Sequence, residues 1–484
     1  MKFTKTNIAS ALLLAFAASG SLMAQEAPET KTDTYVIASD IIEAAAGNVI
    51  LISQETPEGA EFGNEVFVAQ EGDFNGAQIT VMGDGNLVDV LQFGTDNIAV
   101  ATITGDFNTV DVLQDGPASI FDTTVIGSNN EVAVSQTGGP ALFNIESRSI
   151  NFIEGDGNFL SVSSSGFGGH WSNNTIIGSD NTVVVDQLDE WNEAYVRELN
   201  GNNNDVTFYQ DGFYNIFNLT ELTGDDNTIN LSVIGGGARL TFGVVGSGND
   251  ISVSQEGDDN TFSFGIFEGD DETVFVDQLG SGNLATVDTL GSSNNSYSII
   301  QVGNGNEGYT GSIGIFNTFA VEQFGDNNIG STVNLNGVLN NVQITQEGNG
   351  NLGLVEAVLG EGEFADANGA VLTQVGNDND AAITFATVGV SNGNIAFADQ
   401  VGELNLLDLV VNGSDNEISI YQEGENNWVT AEDGGTFQMT ASNTLFSVEQ
   451  IGNDNLVTGS ISGLSGTVLI SQVGDFNVAT VIQN

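Results

Sequence analysis

The chain has 484 residues, a formal net charge of −59 at pH 7, no cysteine and one histidine. Six Lys and Arg residues against 65 Asp and Glu argue against binding to nucleic acid or to anionic membranes, because both need clustered positive charge. The 62 glycines have no triplet period, which excludes collagen and indicates many turns, while 40% hydrophobic residues are enough for a folded core.

The N-terminus has the pattern of a secretory signal peptide. Lys2 and Lys5 precede an apolar run from Ile8 to Ala18, and small residues follow up to Ala24. The run is too short for a transmembrane anchor, and no other segment reaches spanning length. We therefore predict that residues 1–24 are a signal peptide and that the protein is exported by a Gram-negative bacterium.

A six-residue motif, Gln-x-Gly-x-x-Asn, recurs in thirteen complete copies, mostly 22 or 23 residues apart. A period of this length is typical of a solenoid. The motif begins at Gln70, Gln92, Gln210, Gln255, Gln278, Gln301, Gln323, Gln346, Gln374, Gln400, Gln422, Gln450 and Gln472. Its glycines are Gly72, Gly94, Gly212, Gly257, Gly280, Gly303, Gly325, Gly348, Gly376, Gly402, Gly424, Gly452 and Gly474. Its asparagines are Asn75, Asn97, Asn215, Asn260, Asn283, Asn306, Asn328, Asn351, Asn379, Asn405, Asn427, Asn455 and Asn477. Partial or substituted copies begin at Gln114, Gln136, Ser164, Gln187 and Val233, which gives 19 units from Gln54 to Gln472.

A second motif, Gly-x-x-Asn, lies between successive hexads, as in residues 83–86, and divides each unit into halves of 11 or 12 residues. Apolar residues alternate within a half: Asn97, Ala99, Ala101 and Ile103 share one parity. Each half is therefore predicted to be a short strand followed by a turn in which Gly, Asn or Asp accepts a positive φ. Two strands and two turns per unit predict an all-β fold, a β-solenoid of about 19 stacked units joined by parallel ladders.

The Gln and Asn of the hexad lie at the ends of inward-facing strands, beside the turn. In stacked coils such side chains can hydrogen-bond to one another along the axis, which satisfies amides that would be costly to bury alone. These ladders also fix the register, since a slipped coil would place an amide against an apolar side chain. The alternative is that the amides lie on the surface and are suited only to turns.

The hexad with its spacing resembles the curlin repeat of curli, the bacterial extracellular amyloid fibre, over roughly residues 48–484. Alanine follows two residues after the Asn, as in the family pattern, at Ala77, Ala99, Ala285, Ala381 and Ala479. The chain departs from the pattern at Asn249, Asn295 and Asn340, where the family has Ser, and at Val81, Ile103, Ile266 and Phe385, where it has a second Gln. Only Gln483 retains that second Gln, so one of the family's two Gln ladders is mostly missing.

The resemblance implies a curlin-like cross-β fold for residues 48–484. It also implies export through the outer-membrane curli channel and assembly on a curli nucleator subunit. Residues 25–47 precede the repeats, and we expect them to act as a leader that targets secretion. A disordered leader or an N-terminal cap is the alternative for this segment.

The sequence predicts no enzyme, because catalysis needs convergent groups with tuned pKa values. His170 is the sole histidine and lies in residues 163–174, a piece that looks irregular. The acids recur at turns, as at Asp73, Asp258 and Asp326, which indicates solvated corners rather than one site. No catalytic residue, cofactor or specific metal site is therefore predicted. Non-specific Ca²⁺ binding at the acidic turns is expected, since carboxylates are ligands that Ca²⁺ prefers, and salt or Ca²⁺ should relieve repulsion between stacked corners.

The last half-repeat, residues 477–484, has no capping element, and an uncapped ladder exposes backbone groups that template another chain. We therefore predict a structural subunit of extracellular curli-like fibres, which polymerises by end-to-end β-stacking and serves in a biofilm matrix and in cell adhesion. The alternative is a monomeric secreted solenoid, an adhesin or cation-binding surface protein whose acidity opposes stacking.

Overall fold

The computed structural model describes residues 47–138, 146–333, 337–358, 366–386, 391–431 and 434–483. The chain divides after Asp259 into two compact units, called here the N-terminal unit (residues 47–259) and the C-terminal unit (residues 260–483). The predicted signal peptide and all of the leader except Gly47 lie outside the described residues. Within the described ranges the regular elements are β-strands, and none of the residues described forms a helix long and apolar enough to cross a membrane.

In the N-terminal unit the strands alternate along the chain between two parallel sheets. The strands that carry the hexad glutamines form the Gln sheet: β2 (Glu65–Glu71), β4 (Leu87–Phe93), β6 (Thr109–Asp115), β8 (Glu131–Gly138), β10 (Phe159–Gly168), β12 (Thr182–Glu190), β14 (Asp205–Phe213), β16 (Thr228–Ile234) and β18 (Asp250–Glu256). The strands between them form the facing sheet: β1 (Val49–Glu55), β3 (Gly76–Met82), β5 (Ile98–Thr104), β7 (Ser119–Ile126), β9 (Ser147–Glu154), β11 (Trp171–Ile177), β13 (Glu193–Asn200), β15 (Ile216–Thr223) and β17 (Arg239–Val245).

The C-terminal unit has the same two kinds of sheet. Its Gln sheet contains β20 (Thr273–Leu279), β22 (Ser296–Val302), β25 (Thr318–Phe324), β28 (Asn341–Glu347), β30 (Gly369–Asn377), β32 (Ile395–Glu403), β34 (Glu417–Glu425), β37 (Leu445–Ile451) and β39 (Thr467–Val473). Its facing sheet contains β19 (Thr261–Asp270), β21 (Leu284–Ser293), β23 (Glu307–Ser312), β24 (Gly314–Ile315), β26 (Ile329–Val333), β27 (Gly337–Val338), β29 (Leu352–Val358), β31 (Asp380–Ala386), β33 (Leu406–Asn412), β35 (Trp428–Thr430), β36 (Phe437–Ser442), β38 (Leu456–Leu464) and β40 (Val478–Gln483).

Within each unit, a strand pairs in parallel with its equivalent in the next coil, so that Gln92 aligns with Gln114. Because side chains alternate along a strand, every second residue points between the two sheets. Ala99, Ala101 and Ile103 are at most 1% exposed, which places the core there. Burying one Val, Ile or Phe side chain contributes about 1.5–3 kcal/mol, and a coil buries its inner face only when it is stacked on its neighbours.

The structure confirms the predicted β-solenoid, with nine Gln-sheet strands in each unit and so about 18 turns, against the 19 units counted in the sequence. The expectation that residues 163–174 are irregular is wrong, because this segment belongs to β10 and β11. A single register shift lies between Gly166 and Gly168, where β10 pairs with β12. Extra residues beyond a 23-residue repeat, such as those after β29, leave the Gln sheet in register, since Gln346 still aligns with Gln374.

Candidate functional site: stacked amides and corners

The hexad glutamines of the C-terminal unit form one column inside the solenoid. Each Nε2 donates to Oε1 of the glutamine in the next coil at 2.7–2.9 Å. The column runs through Gln278, Gln301, Gln323, Gln346, Gln374, Gln400, Gln422, Gln450 and Gln472. All but Gln472 are fully buried. A buried amide group without a partner costs about 1–3 kcal/mol, so the column makes these glutamines compatible with the core.

Each glutamine also ties the Gln sheet to the facing sheet. The Nε2 of Gln323 donates to the carbonyl of Glu307 at 3.0 Å, and that of Gln346 to the carbonyl of Ile329 at 2.9 Å. These carbonyls belong to the first residues of β23 and β26, which lie across the corner that the hexad forms. Both protons of the amide are thereby bonded, one along the axis and one across the corner, so the glutamine fixes the stacking register and the shape of the corner together.

The glutamine column of the N-terminal unit contains the partial copies of the motif. Nε2-to-Oε1 bonds of 2.7–2.9 Å join Gln70, Gln92, Gln114 and Gln136 in succession. Ser164 continues the column by placing Oγ 3.3 Å from Oε1 of Gln187, and Gln187 bonds to Gln210 at 3.0 Å. Val233 then aligns with Gln210 and with Gln255, which is 1% exposed. Since valine has no donor or acceptor, the column is broken at this coil.

The hexad asparagines form a second column beside the glutamines. The backbone N–H of Asn328 donates to Oδ1 of Asn306 at 3.0 Å, and its Nδ2 donates to the carbonyl of Gly348 at 2.8 Å. The same backbone-to-Oδ1 bond recurs from Asn260 through Asn283, Asn306, Asn328, Asn351, Asn379, Asn405, Asn427 and Asn455 to Asn477. In the N-terminal unit it joins Asn75 to Asn97 and Asn192 to Asn215. Each asparagine therefore bonds to both neighbouring coils.

A third column follows the return corner, where the chain passes from the facing sheet to the Gln sheet. It contains the asparagines of the second motif and runs through Asn86, Asn108, Asn130, Asn158, Asn181, Asn204, Asn227 and Asn249, with backbone-to-Oδ1 bonds of 2.9–3.1 Å. Both corners of the coil are therefore held by asparagine ladders, although only the hexad corner also has a glutamine.

Two ionisable residues occupy asparagine positions in these columns. His170 takes the register of a hexad asparagine, since its carbonyl accepts the backbone N–H of Arg148 at 2.7 Å, as that of Asn97 accepts from Gly76. It is 1% exposed, and burial lowers its pKa. Glu272 takes a return-corner position and is fully buried. Its carboxylate accepts from Ser292 Oγ at 2.8 Å and from the backbone N–H of Asn295 at 3.0 Å.

Burial raises the pKa of Glu272 to about 7, and these hydrogen bonds from Ser292 and Asn295 oppose the rise. Glu272 is therefore close to half ionised at neutral pH while it occupies a ladder position. Nothing in the spacing of the sequence pointed to this residue, because the Gly-x-x-Asn motif is interrupted there, at residues 269–272.

The hexad glycines are required for two reasons. Their φ angles lie between +104° and +127°, a region that L side chains avoid. In addition, a Cβ placed on Gly303 would overlap the carbonyl oxygen of Gly325 in the next coil, and Gly325 has the same relation to Gly348. The turn motif signalled the first reason but not the second, which arises only when coils are stacked.

The residue after each corner glycine supplies a further, external ladder. Oδ1 of Asp326 accepts the backbone N–H of Asn304 at 2.8 Å, and Oδ1 of Asn349 accepts that of Asp326 at 2.8 Å. At the return corner, Asp106 Oδ1 accepts from the backbone of Asp84 at 2.8 Å. The acidic corners are therefore solvated but also ordered, because one carboxylate oxygen binds the neighbouring coil.

No three His, Asp or Glu side chains come near enough to share a metal ion in the part of the chain that the structure describes. Some carboxylates nevertheless stack in adjacent coils. Asp89 aligns with Asp111 on the outer face of the Gln sheet. Burial, followed by the charge of Asp89, raises the pKa of Asp111. Repulsion between acids one coil apart is thus a real feature of the surface.

Comparison with protein families supports the resemblance that the hexads carry. The family model described as curlin associated repeat matches residues 83–116, 269–297 and 413–458. The matches fall in both units and include corners of both kinds, so the resemblance to a curlin-repeat protein is confirmed over these regions. The search of curated proteins found no match. The repeat indicates a curli-like extracellular protein.

Proposed function

We propose that the chain is a structural subunit of extracellular curli-like amyloid fibres that self-assembles by stacking coil on coil. The observation that carries the proposal is the glutamine column of the C-terminal unit, which keeps one bond type at 2.7–2.9 Å through nine coils. Each coil offers its neighbour the same donors and acceptors, whatever loops it carries. A coil of a second copy offers them as well, which is the chemical requirement for templated growth.

The associated roles follow from the curlin-repeat resemblance. The subunit would be exported through an outer-membrane curli channel of a Gram-negative bacterium, nucleate on a curli nucleator subunit, and form part of a biofilm matrix or adhesive surface. Residues 25–47 would target secretion. Secretion that is unchanged after their deletion would remove that role, with a deletion of equal length within the repeats as the control for general folding defects.

A monomeric adhesin or cation-binding solenoid is the second candidate, and the net charge of −59 favours it. Charge of this size keeps copies apart at low salt, where the Debye length is about 30 Å at 0.01 M, and far less at 1 M, where it is about 3 Å. The two candidates therefore differ most clearly in their response to salt and Ca²⁺.

The test is assembly of purified residues 25–484 at low salt and at seawater salt with Ca²⁺, followed by thioflavin T fluorescence, electron microscopy and fibre diffraction. Growing fibres with a reflection near ~4.7 Å, whose sheared fragments seed fresh monomer, are expected. A folded β-rich monomer that stays soluble in every condition, even when seeded, would contradict the fibre proposal and favour the adhesin.

A further inference from the structure

The outer side of the facing sheet in the N-terminal unit has a composition unlike the rest of the chain. All three arginines of the sequence, Arg148, Arg197 and Arg239, are found there, on β9, β13 and β17. The exposed Trp171 lies on β11 and the half-buried Tyr195 on β13. We call these five residues the arginine face.

The arginine face is regular along the stack. Arg148 aligns with Trp171, which aligns with Glu193, and this column continues through Ile216 to Arg239. With neighbouring strands about 4.8 Å apart, Arg148 and Arg239 are separated by about 19 Å along the stack. Arg197 lies on the strand midway between them, so that an arginine recurs at every second coil, about 10 Å apart.

The guanidinium groups are held in place but not neutralised. Arg148 pairs with Glu146 and lies 5.4 Å from the ring centre of Trp171. Arg197 donates Nε to Asn218 Oδ1 at 3.0 Å and lies 5.2 Å from the ring centre of Tyr195. Neither Arg197 nor the exposed Arg239 forms an ion pair with any carboxylate among the described residues. In a chain with 65 acids, unpaired cations on one face are a strong departure from the average surface.

The remaining outward positions of this face are mostly neutral and polar. Amides and hydroxyls come from Asn173, Thr175, Asn218 and Thr241, each half-buried on the sheet. In the column of Arg148 and Arg239 the one carboxylate is Glu193, which accepts the hydroxyl proton of Tyr195 at 3.1 Å. Further carboxylates, Glu198 and Glu221, lie beyond Arg197 toward the ends of their strands.

We propose that the arginine face binds an acidic polysaccharide laid along the stack. Carboxylate or sulfate groups would bond to the arginines, because guanidinium matches planar anions. Sugar rings would lie on the exposed ring of Trp171, and their hydroxyls would bond to the amides. The two-coil spacing of the arginines is close to the length of a disaccharide, so one acidic sugar in each disaccharide would meet one arginine.

A second copy of the chain is a poorer occupant of this face. Each copy carries −59, and its corner carboxylates already accept a backbone N–H from the next coil, as Asp326 does. A flexible polyanion can place its charges at the arginines and its neutral rings between them. This proposal does not depend on fibre assembly, because a single soluble copy displays the whole face.

The test uses soluble, unassembled residues 25–484 carrying Trp191→Phe and Trp428→Phe, which leaves Trp171 as the sole tryptophan. Sodium alginate, a polyuronate, is titrated at low salt and followed by Trp171 fluorescence and by calorimetry. The triple variant Arg148→Gln, Arg197→Gln, Arg239→Gln should lower the affinity by about ten-fold or more, since a hydrogen bond to a charged group is worth about 1.5–3 kcal/mol.

The matched control makes the same change in net charge on the outer side of the Gln sheet. Thr182→Asp, Asn230→Asp and Ser254→Asp should leave the affinity within about two-fold at the same salt, because long-range repulsion is screened beyond a Debye length. Dextran, a neutral polysaccharide, should not bind measurably.

Three results would overturn the proposal. One is the absence of alginate binding at low salt, and another is equal binding of dextran. The third is an equal loss of affinity in the control and the arginine variants, which would show an effect of net charge alone. Arginine substitutions that alter sedimentation of the protein alone, without altering alginate binding, would instead assign the face to contacts between copies.

Discussion

Replacing Gln346 by leucine tests whether the glutamine column stabilises the stack. Gln346 lies in the middle of the column, fully buried, and takes part in three hydrogen bonds. It donates to Gln374 Oε1 at 2.8 Å and to the carbonyl of Ile329 at 2.9 Å, and it accepts from Gln323 Nε2 at 2.9 Å. Leucine fills a similar volume but supplies none of these bonds.

The expected cost follows from the groups that lose a partner. Oε1 of Gln374 loses the donor of Gln346, and one proton of Gln323 Nε2 loses its acceptor, although its bond to Glu307 remains. Each unsatisfied buried group costs about 1–3 kcal/mol, and burying the leucine methyls returns roughly 1 kcal/mol. We therefore expect local destabilisation of about 2–4 kcal/mol.

Hydrogen exchange with mass spectrometry measures this change where it occurs, because a solenoid opens locally and global unfolding is not two-state. Peptides that cover β28 and β30 should exchange faster by the factor that corresponds to 2–4 kcal/mol, about 30- to 1,000-fold. Gln343→Leu is the matched control, since Gln343 lies on the same strand but is exposed. If both variants exchange alike, the column does not stabilise the stack and our reasoning about buried amides fails.

Three further changes test other parts of the ladders. Glu272→Gln should abolish a loss of local stability as pH rises from about 4.5 to about 7. A carboxyl with a raised pKa stabilises the fold in its protonated form, and this range corresponds to up to about 3 kcal/mol. Exchange of β19 and β21 measured against pH checks it, and an unchanged pH profile would contradict it. His170→Asn should have the opposite signature, removing a loss of stability in β9 and β11 as pH falls below the ordinary histidine pKa, because burial lowers the pKa of His170. Wild-type protein with no acid-side loss in those strands would refute this assignment. Gly325→Ala should cost more than about 3 kcal/mol through overlap with the carbonyl of Gly348, whereas Gly282→Ala, at φ +66° with open space around it, should cost about 1–2 kcal/mol; equal midpoints in thermal melts would show that stacking does not restrict Gly325.

The alternation of the sequence was sufficient to predict the inner face of the solenoid. Asn97, Ala99, Ala101 and Ile103 share one parity, and all are buried. This prediction succeeds because the two-residue period of a strand is a local property, and a half-unit of 11 or 12 residues leaves few alternatives. The same locality explains the glycine turns, whose positive φ is set within the hexad.

Features that depend on the neighbouring coil could not be read from the motif. The second requirement for Gly303 is a carbonyl that lies 22 residues further along the chain. The register of His170 was hidden because two extra glycines precede it, which made a regular pair of strands look irregular. Glu272 gave no signal at all, since an acid beside a turn ordinarily indicates solvent, and only the stack buries it.

The arrangement of the corners explains how a chain with so much charge can still stack. At the residue after each hexad glycine, the C-terminal unit has Ser281, Asn304, Asp326, Asn349, Asn377, Glu403, Glu425, Asn453 and Asp475. Only Glu403 and Glu425 are acids in adjacent coils. Acids separated by two coils are about 10 Å apart, which is one Debye length at 0.1 M salt. Asp and Asn both accept the backbone N–H of the neighbouring coil through Oδ1. The ladder therefore accepts either residue, and exchanging one for the other changes the surface charge while the bonds that join the coils stay the same.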